Sequence, residues 1–166
     1  MCRHDARCDT SWGCHGASCQ TPKSDGADVV VPPSNVVATS YSPTPVPMCS
    51  DSRATVTIKN AGVTTVYDLT AEVALDAGLM YIGHPEVQIN GGGWSAIPDP
   101  SGVPGPDLLW TSAEVPELAT ASPNDVIEIR FDYAVGCSFN GGDLTFRAGY
   151  QTPCGEPEAS NIGRFA

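Results

Sequence analysis

The feature that most constrains this chain is the recurrence of a large apolar residue at every second position from 127 to 135. Every second side chain from Ile127 to Val135 is apolar, and charged residues such as Arg130 and Asp132 lie between them. An α-helix needs apolar residues three and four positions apart, whereas a strand turns successive side chains to opposite faces of its sheet. The segment therefore predicts a long β-strand with one buried face.

The same period of two recurs in at least three further segments, and no segment has the spacing of a helix. Short strands of this kind, separated by turn residues such as 140–143, are typical of an all-β chain folded as an antiparallel β-sandwich. The alternating apolar residues are Ala54, Val56 and Ile58; Tyr67, Leu69, Ala71, Val73 and Leu75; and Leu144, Phe146, Ala148 and Tyr150.

Composition agrees with this fold class and excludes two kinds of partner. Glycine and proline account for 17 and 15 of the 166 residues, which disfavours long helices. The formal net charge of −11 repels phosphate backbones, so nucleic acid is not an expected partner. No apolar run approaches the roughly 20 residues of a membrane-spanning helix, so no membrane insertion is expected.

Seven cysteines predict an oxidising, extracellular location, and four of them lie in the first nineteen residues. Cys8, Cys14 and Cys19, with His4 and His15, also provide enough ligands for zinc, although the usual two-residue spacing between paired ligands is absent. Disulfides are therefore the favoured interpretation, with zinc as the open alternative. Because seven is odd, one thiol has no partner within the chain.

The predicted pairings follow from the proposed order of strands. Cys14 and Cys19 would close a small loop. Cys49 precedes the first core strand and Cys154 follows the last, so both are expected at one end of the domain, where they could form a clasp. Cys137 is expected at the opposite end, paired with the N-terminal element or with another chain. The remaining disulfide candidates are Cys2 and Cys8.

The chain divides into four predicted parts. Residues 1–26 form a cysteine-rich N-terminal segment that is too poor in aliphatic residues for a core of its own. An extended lead-in strand or linker covers 27–48, the sandwich covers 49–154, and 155–166 has no periodicity and is predicted to be a C-terminal tail.

The lead-in segment contains two valine-rich runs separated by Pro32 and Pro33. Proline cannot donate to a strand ladder, so the segment is predicted to be an edge strand or to add to the sheet of an adjacent subunit. The strand-exchange candidates are Val29, Val30, Val31, Val36 and Val37.

Few residues point to a binding site, and none to catalysis. Trp94 follows three glycines in a predicted loop and is the best candidate for an exposed contact residue. Asp99 and Asp107 flank a proline- and glycine-rich loop that could hold a calcium ion. The sequence contains no G-x-S-x-G, H-E-x-x-H or phosphate-binding motif. The chain is therefore predicted not to be an enzyme.

The order of these motifs resembles the DUF11-type repeat of large bacterial cell-surface proteins of the adhesin type. The matching segments are 54–62, which ends in Asn-Ala-Gly, then 66–75, the Asp-Ala-Gly-Leu turn of 76–81, Leu-Trp at 109–110, and 126–131. The resemblance covers roughly residues 49–152. It implies an immunoglobulin-like module, repeated in a surface or extracellular stalk and usually without enzymatic activity.

A second resemblance lies in the cysteine-rich segment. The run from Trp12 to Gln20 is similar to a segment that precedes such repeats in very long secreted proteins.

Three functions are consistent with the sequence. The favoured one is a non-catalytic structural module of a secreted or cell-surface protein, whose partners would be neighbouring repeats. The alternatives are a filament subunit that polymerises with identical copies by N-terminal strand exchange, and a module that binds surface glycans through Trp94 and the 91–107 loop.

Overall fold

The computed structural model describes residues 14–15, 18–19, 36–41, 46–153 and 155–165. These residues form thirteen strands and one short 3-10 helix at Pro116–Ala119. The strands are β1 (Cys14–His15), β2 (Ser18–Cys19), β3 (Val36–Tyr41), β4 (Ser50–Asn60), β5 (Val66–Leu75), β6 (Leu79–Ile89), β7 (Ser95–Ala96), β8 (Asp107–Trp110), β9 (Thr120–Ala121), β10 (Val126–Val135), β11 (Leu144–Gln151), β12 (Pro157–Ala159) and β13 (Gly163–Phe165).

Two antiparallel sheets form the sandwich. Sheet I has the strand order β3-β4-β10-β6-β7. Sheet II has the order β12-β11-β5-β8, with β13 also on β11 and β9 also on β5. The chain passes from one sheet to the other five times: from β4 to β5, β5 to β6, β7 to β8, β9 to β10, and β10 to β11. The fold is therefore the immunoglobulin-like antiparallel β-sandwich that was predicted.

The period of two predicts the buried face of β10 correctly at every position. The five alternating apolar side chains from Ile127 to Val135 are buried, and the residues between them are only partly exposed. Trp110 on β8 packs against Phe131 on β10 with ring centroids 5.5 Å apart, and Tyr81 on β6 contacts Phe131 at 5.9 Å. These aromatic rings fill the space between the sheets.

The alternation fails at the start of β5. Asp68 has a φ of +46°, so the chain reverses its inward and outward pattern there. Val66 is consequently buried in place of Tyr67, which was predicted to face inward. The partner strand is irregular at the same level, between Gly149 and Gln151.

The C-terminal segment is not the tail that was predicted. Strand β12 pairs with β11 from Gly149 to Gln151, and β13 pairs with it from Leu144 to Phe146. Each of these strands has only three residues, which is too few to produce a visible period of two. They satisfy the backbone hydrogen-bonding groups along the edge of sheet II.

Strand β6 extends from Leu79 to Ile89. It is interrupted by a bulge, because Gly83 and His84 have positive φ values of 111° and 55° and the pairing with β10 shifts beside Asp132. A bulge of this kind preserves the strand while it hides the simple alternation in the sequence.

The chain enters and leaves the sandwich at opposite ends. Val36, the first residue of β3, lies beside Asn60 at what we call the Asn60 end. Phe165, in the last strand, lies beside Leu144, which itself pairs with Leu75 at the other end. Within the described part of the chain, no helix has the length and apolar character needed to cross a membrane.

Two glycines with positive φ allow the stability cost of backbone strain to be distinguished from the cost of steric crowding. Gly102 and Gly141 have φ values of +96° and +95°, but a Cβ at Gly102 would lie 1.9 Å from the carbonyl oxygen of Asp107, and at Gly141 it would meet nothing within 4 Å. We expect Gly141→Ala to cost about 1–2 kcal/mol of stability. Gly102→Ala should cost about 1–3 kcal/mol more, because the loop must also move. Chemical denaturation of both variants measures the difference, and equal costs would contradict the crowding.

Candidate contact surface

A disulfide joins Cys49 and Cys137, whose Cα atoms are 4.4 Å apart. Strands β4 and β10 are antiparallel neighbours, and Ser50 pairs with Val135. The residue before β4 and the second residue after β10 are therefore adjacent. We call this end of the sandwich, which also contains Leu75 and Leu79, the disulfide end.

The predicted clasp between Cys49 and Cys154 is therefore wrong, as is the placement of Cys137 at the opposite end from Cys49. Strand β11, which leads toward Cys154, ends at Gln151 beside Tyr67, far from the disulfide end. Cys154 lies outside the described residues, as do the candidates Cys2 and Cys8.

The other predicted bridge, between Cys14 and Cys19, stays a prediction. The backbones of β1 and β2 place these two residues directly opposite each other. This is the arrangement that a bridge across a two-stranded ribbon needs. Five cysteines remain after the Cys49–Cys137 pair, and five cannot all pair within one chain.

At the Asn60 end, one buried side chain ties together three segments. The Asn60 amide nitrogen donates to the carbonyl oxygens of Thr64 and Ala121, both at 2.9 Å, and its side-chain oxygen accepts from the Gly62 N–H at 3.0 Å. Asn60 is fully buried. The turn after β4 and strand β9 are thereby held in fixed positions.

Cross-strand ion pairs cover the solvent face of sheet I. Arg53 donates two hydrogen bonds to Asp132 at 2.5 and 3.1 Å, and Arg130 donates one to Glu86 at 2.7 Å. The hydrogen bond from Arg53 holds the pKa of Asp132 below its usual range, and the hydrogen bond from Arg130 lowers the pKa of Glu86. His84, on the bulge, contacts the same Asp132 carboxylate at 3.0 Å.

Trp94 belongs to this face, but it is less available than was predicted. Its ring lies under the Arg130 guanidinium, 4.0 Å from ring centroid to Cζ, and the side chain is only partly exposed. The three preceding glycines correctly indicate a loop. The cation–π contact with a strand that is distant in sequence could not be predicted from them.

The two predicted calcium ligands are not brought together with a third acid. Asp99 accepts a hydrogen bond of 2.6 Å from the Tyr81 hydroxyl, and burial together with this bond raises the pKa of Tyr81. Asp107 begins β8 and pairs with Ala74. Among the described residues there is no group of three or more histidine, cysteine or acidic side chains that could hold a metal ion. Calcium at Asp99 and Asp107 stays a prediction.

The structure describes two of the five strand-exchange candidates. Val36 and Val37 lie in β3, which pairs with β4 of the same chain. The Val36 side chain is 2% exposed and belongs to the core. The other candidates, Val29, Val30 and Val31, lie outside the described residues.

Solved structures with the same fold include domains of pilins and adhesins. A variant of BcpA, the major pilin subunit of Bacillus cereus, aligns with a TM-score of 0.60 at 8% identity over 93% of this chain and 50% of that one. The full-length major pilin SpaD from Corynebacterium diphtheriae gives 0.56 at 16% identity, over 77% and 34%. The collagen-binding subdomain of the Enterococcus faecalis surface protein ACE gives 0.50 at 9%, over 79% and 94%.

The chain spans half or less of the length of these two pilins. No protein-family model matches the chain, and no curated protein is similar to it in sequence. The resemblance to the DUF11-type repeat therefore stays a prediction, and the structural likeness concerns the fold alone.

Proposed function

We propose that this chain is a non-catalytic structural module of an extracellular or cell-surface protein, and that it transmits mechanical load between its two ends. The observation that carries this proposal is the placement of Val36 and Phe165 at opposite ends of the sandwich. A module in this geometry extends the reach of whatever is attached to it, and any tension passes along its strands.

The directions of the terminal strands support a load-bearing role. Strand β3 runs away from the Asn60 end, and β13 runs toward the disulfide end. Tension applied through the two termini would therefore pull β3 and β13 parallel to their partners β4 and β11. Sliding one strand along another loads all the hydrogen bonds of the ladder together, whereas peeling breaks them one at a time.

The disulfide supports both the location and the role. A structural disulfide requires an oxidising compartment. The bond between Cys49 and Cys137 also encloses most of the sandwich, because the two residues are 88 positions apart. Tension cannot extend the chain between them while the bond is intact.

Single-molecule force spectroscopy on the oxidised chain, stretched through its termini, tests this role. Removing the bond with Cys137→Ser should lengthen the unfolding step by about 300 Å, since 88 residues at roughly 3.3–3.6 Å each become extensible. Ser138→Ala, a change at the exposed residue next to Cys137, is the matched control and should leave the step unchanged. Equal steps for the oxidised chain and Cys137→Ser would contradict the proposal, as would a lengthened step for Ser138→Ala.

A filament subunit that polymerises by strand exchange is the second candidate. It is favoured by the position of β3, an edge strand that pairs only with β4 within sheet I. Val36 contributes to the core. A β3 strand from another copy, bound at this edge in place of the chain's own β3, would therefore complete the hydrophobic interior as well as the hydrogen-bonded ladder.

Glycan binding through Trp94 and the 91–107 loop stays a prediction, which a glycan array would test. The Arg130 guanidinium covers one face of the indole ring, so a sugar would have only the other face to stack on.

A further inference from the structure

Strand β6 has an unpaired edge at the disulfide end. On the side away from β10, β7 pairs only with Glu86 and Val87, and Pro85 accepts one further backbone hydrogen bond from Ile97. Among the described residues, no strand pairs with this side of β6 from Leu79 to Ile82. We call these four residues the open edge.

The open edge has an apolar character that unpaired strands usually avoid. Met80 is 59% exposed and Ile82 is 40% exposed, both on the solvent face of sheet I. Exposed strand edges commonly have charges or prolines that prevent pairing with another chain. The Leu79 N–H already donates to the Asp76 carbonyl oxygen at 3.0 Å, so an added strand would pair beyond it, and the bulge at Gly83 and His84 would end that strand.

We propose that the open edge accepts the Val29–Val31 run of a second copy of this chain, which adds to sheet I as an antiparallel strand. The proposal rests on the structural-module function described above and specifies how successive modules contact each other. The run is β-branched and apolar, as a strand beside Met80 and Ile82 requires.

The run cannot reach the open edge of its own chain. Strand β3 is separated from β6 by β4 and β10, which amounts to about 14 Å at the usual strand spacing. Ile82 lies near the level of Arg53, seven residues along β4 from the Asn60 partner of Val36, or about 24 Å. The separation is therefore about 28 Å, whereas the five steps from Val31 to Val36 span at most about 18 Å.

A second copy is free of this limit, because its distance from Val36 is not fixed by the strand order of one chain, and an end-to-end arrangement gives the required direction. Strand β3 begins at the Asn60 end, which would face the disulfide end of the next copy. Read from Val29 to Val31, the run approaches its own sandwich, and β6 of the next copy runs away from that junction. The two strands are therefore antiparallel, as are all the strand pairs of both sheets.

Two charged variants of the full-length oxidised chain test this arrangement by sedimentation velocity over a wide range of concentration. The wild-type chain should form a concentration-dependent series of oligomers. Val30→Lys, which alters the donor run, and Ile82→Lys, which alters the open edge, should each weaken self-association by about tenfold or more, because each places an uncompensated charge in the added strand pair.

Mixing the two variants distinguishes this head-to-tail contact from any symmetric one. Val30→Lys keeps an intact open edge and Ile82→Lys keeps an intact donor run, so a mixture should form dimers and stop there, because any further junction would bring two lysines together. Ile162→Lys is the matched control, because Ile162 is 55% exposed between β12 and β13 on sheet II, away from the proposed contact, and it should associate like the wild type.

Three outcomes would overturn the inference: a wild-type chain that stays monomeric, a mixture that forms no dimers, or an Ile162→Lys variant as impaired as Ile82→Lys. A monomeric wild type that still shows the expected change of about 300 Å in its unfolding step would remove this contact and leave the module function standing.

Discussion

Serine in place of Cys137 should lower the free energy of unfolding by about 4–5 kcal/mol, the largest effect we expect from a single substitution. The bond to Cys49 closes a loop of 88 residues. In the chain-entropy model, breaking this bond raises the conformational entropy of the unfolded state, which the intact bond restricts. Urea denaturation of the purified chain measures the change.

Two further observations separate the bond from the side chains that form it. The dependence of stability on urea should steepen in Cys137→Ser, because its unfolded state exposes more surface. Cys49→Ser should cost as much as Cys137→Ser, and the double variant no more than either, since all three remove the same bond. Additive costs, or a wild type whose stability is unchanged by a reducing agent, would show that the bond does not stabilise the fold.

Alanine in place of Asn60 is expected to cost about 2–4 kcal/mol. The substitution removes two hydrogen bonds that the Asn60 amide donates, to the carbonyl oxygens of Thr64 and Ala121, and one that it accepts from the Gly62 N–H, all at the buried Asn60 end. The shift in the urea midpoint relative to the wild type gives the cost.

Asn140→Ala is the matched control for this prediction. Asn140 is an exposed asparagine in the loop between β10 and β11, and its replacement should change stability by less than about 0.5 kcal/mol. Hydrogen exchange adds a local readout. In Asn60→Ala, protection should fall first in the turn after β4 and in β9. Similar costs for the two variants would mean that the Asn60 amide contributes no more than a surface side chain.

The sequence predicted the regions where one simple rule applies. Every second residue of β10 from Ile127 to Val135 is apolar, and each of these five residues is buried. The same rule failed at Asp68 and at the Gly83–His84 bulge, because a single residue with positive φ reverses or displaces the pattern without changing the composition. Such conformations are set by the neighbouring strands, and a single sequence does not display them.

Contacts between distant strands were harder to predict than the strands themselves. The pairing of Cys49 with Cys137 is a direct consequence of β4 lying beside β10. The alternation of apolar residues identifies strands, but it does not predict their order within a sheet. The cation–π contact of Trp94 with Arg130 was missed for the same reason. The three-residue strand β13 was missed because it is too short to carry a pattern.

The positions of the first and last strands also determine how much length each copy would add to an assembly. Strand β10 has ten residues and measures about 34 Å along the long axis of the sandwich. If copies were joined through Val36 and Phe165, the assembly would grow as a rod, with a fixed increment for every copy added. The length of the rod would then depend on the number of copies alone, so adding or removing a copy would change that length without any change to the module.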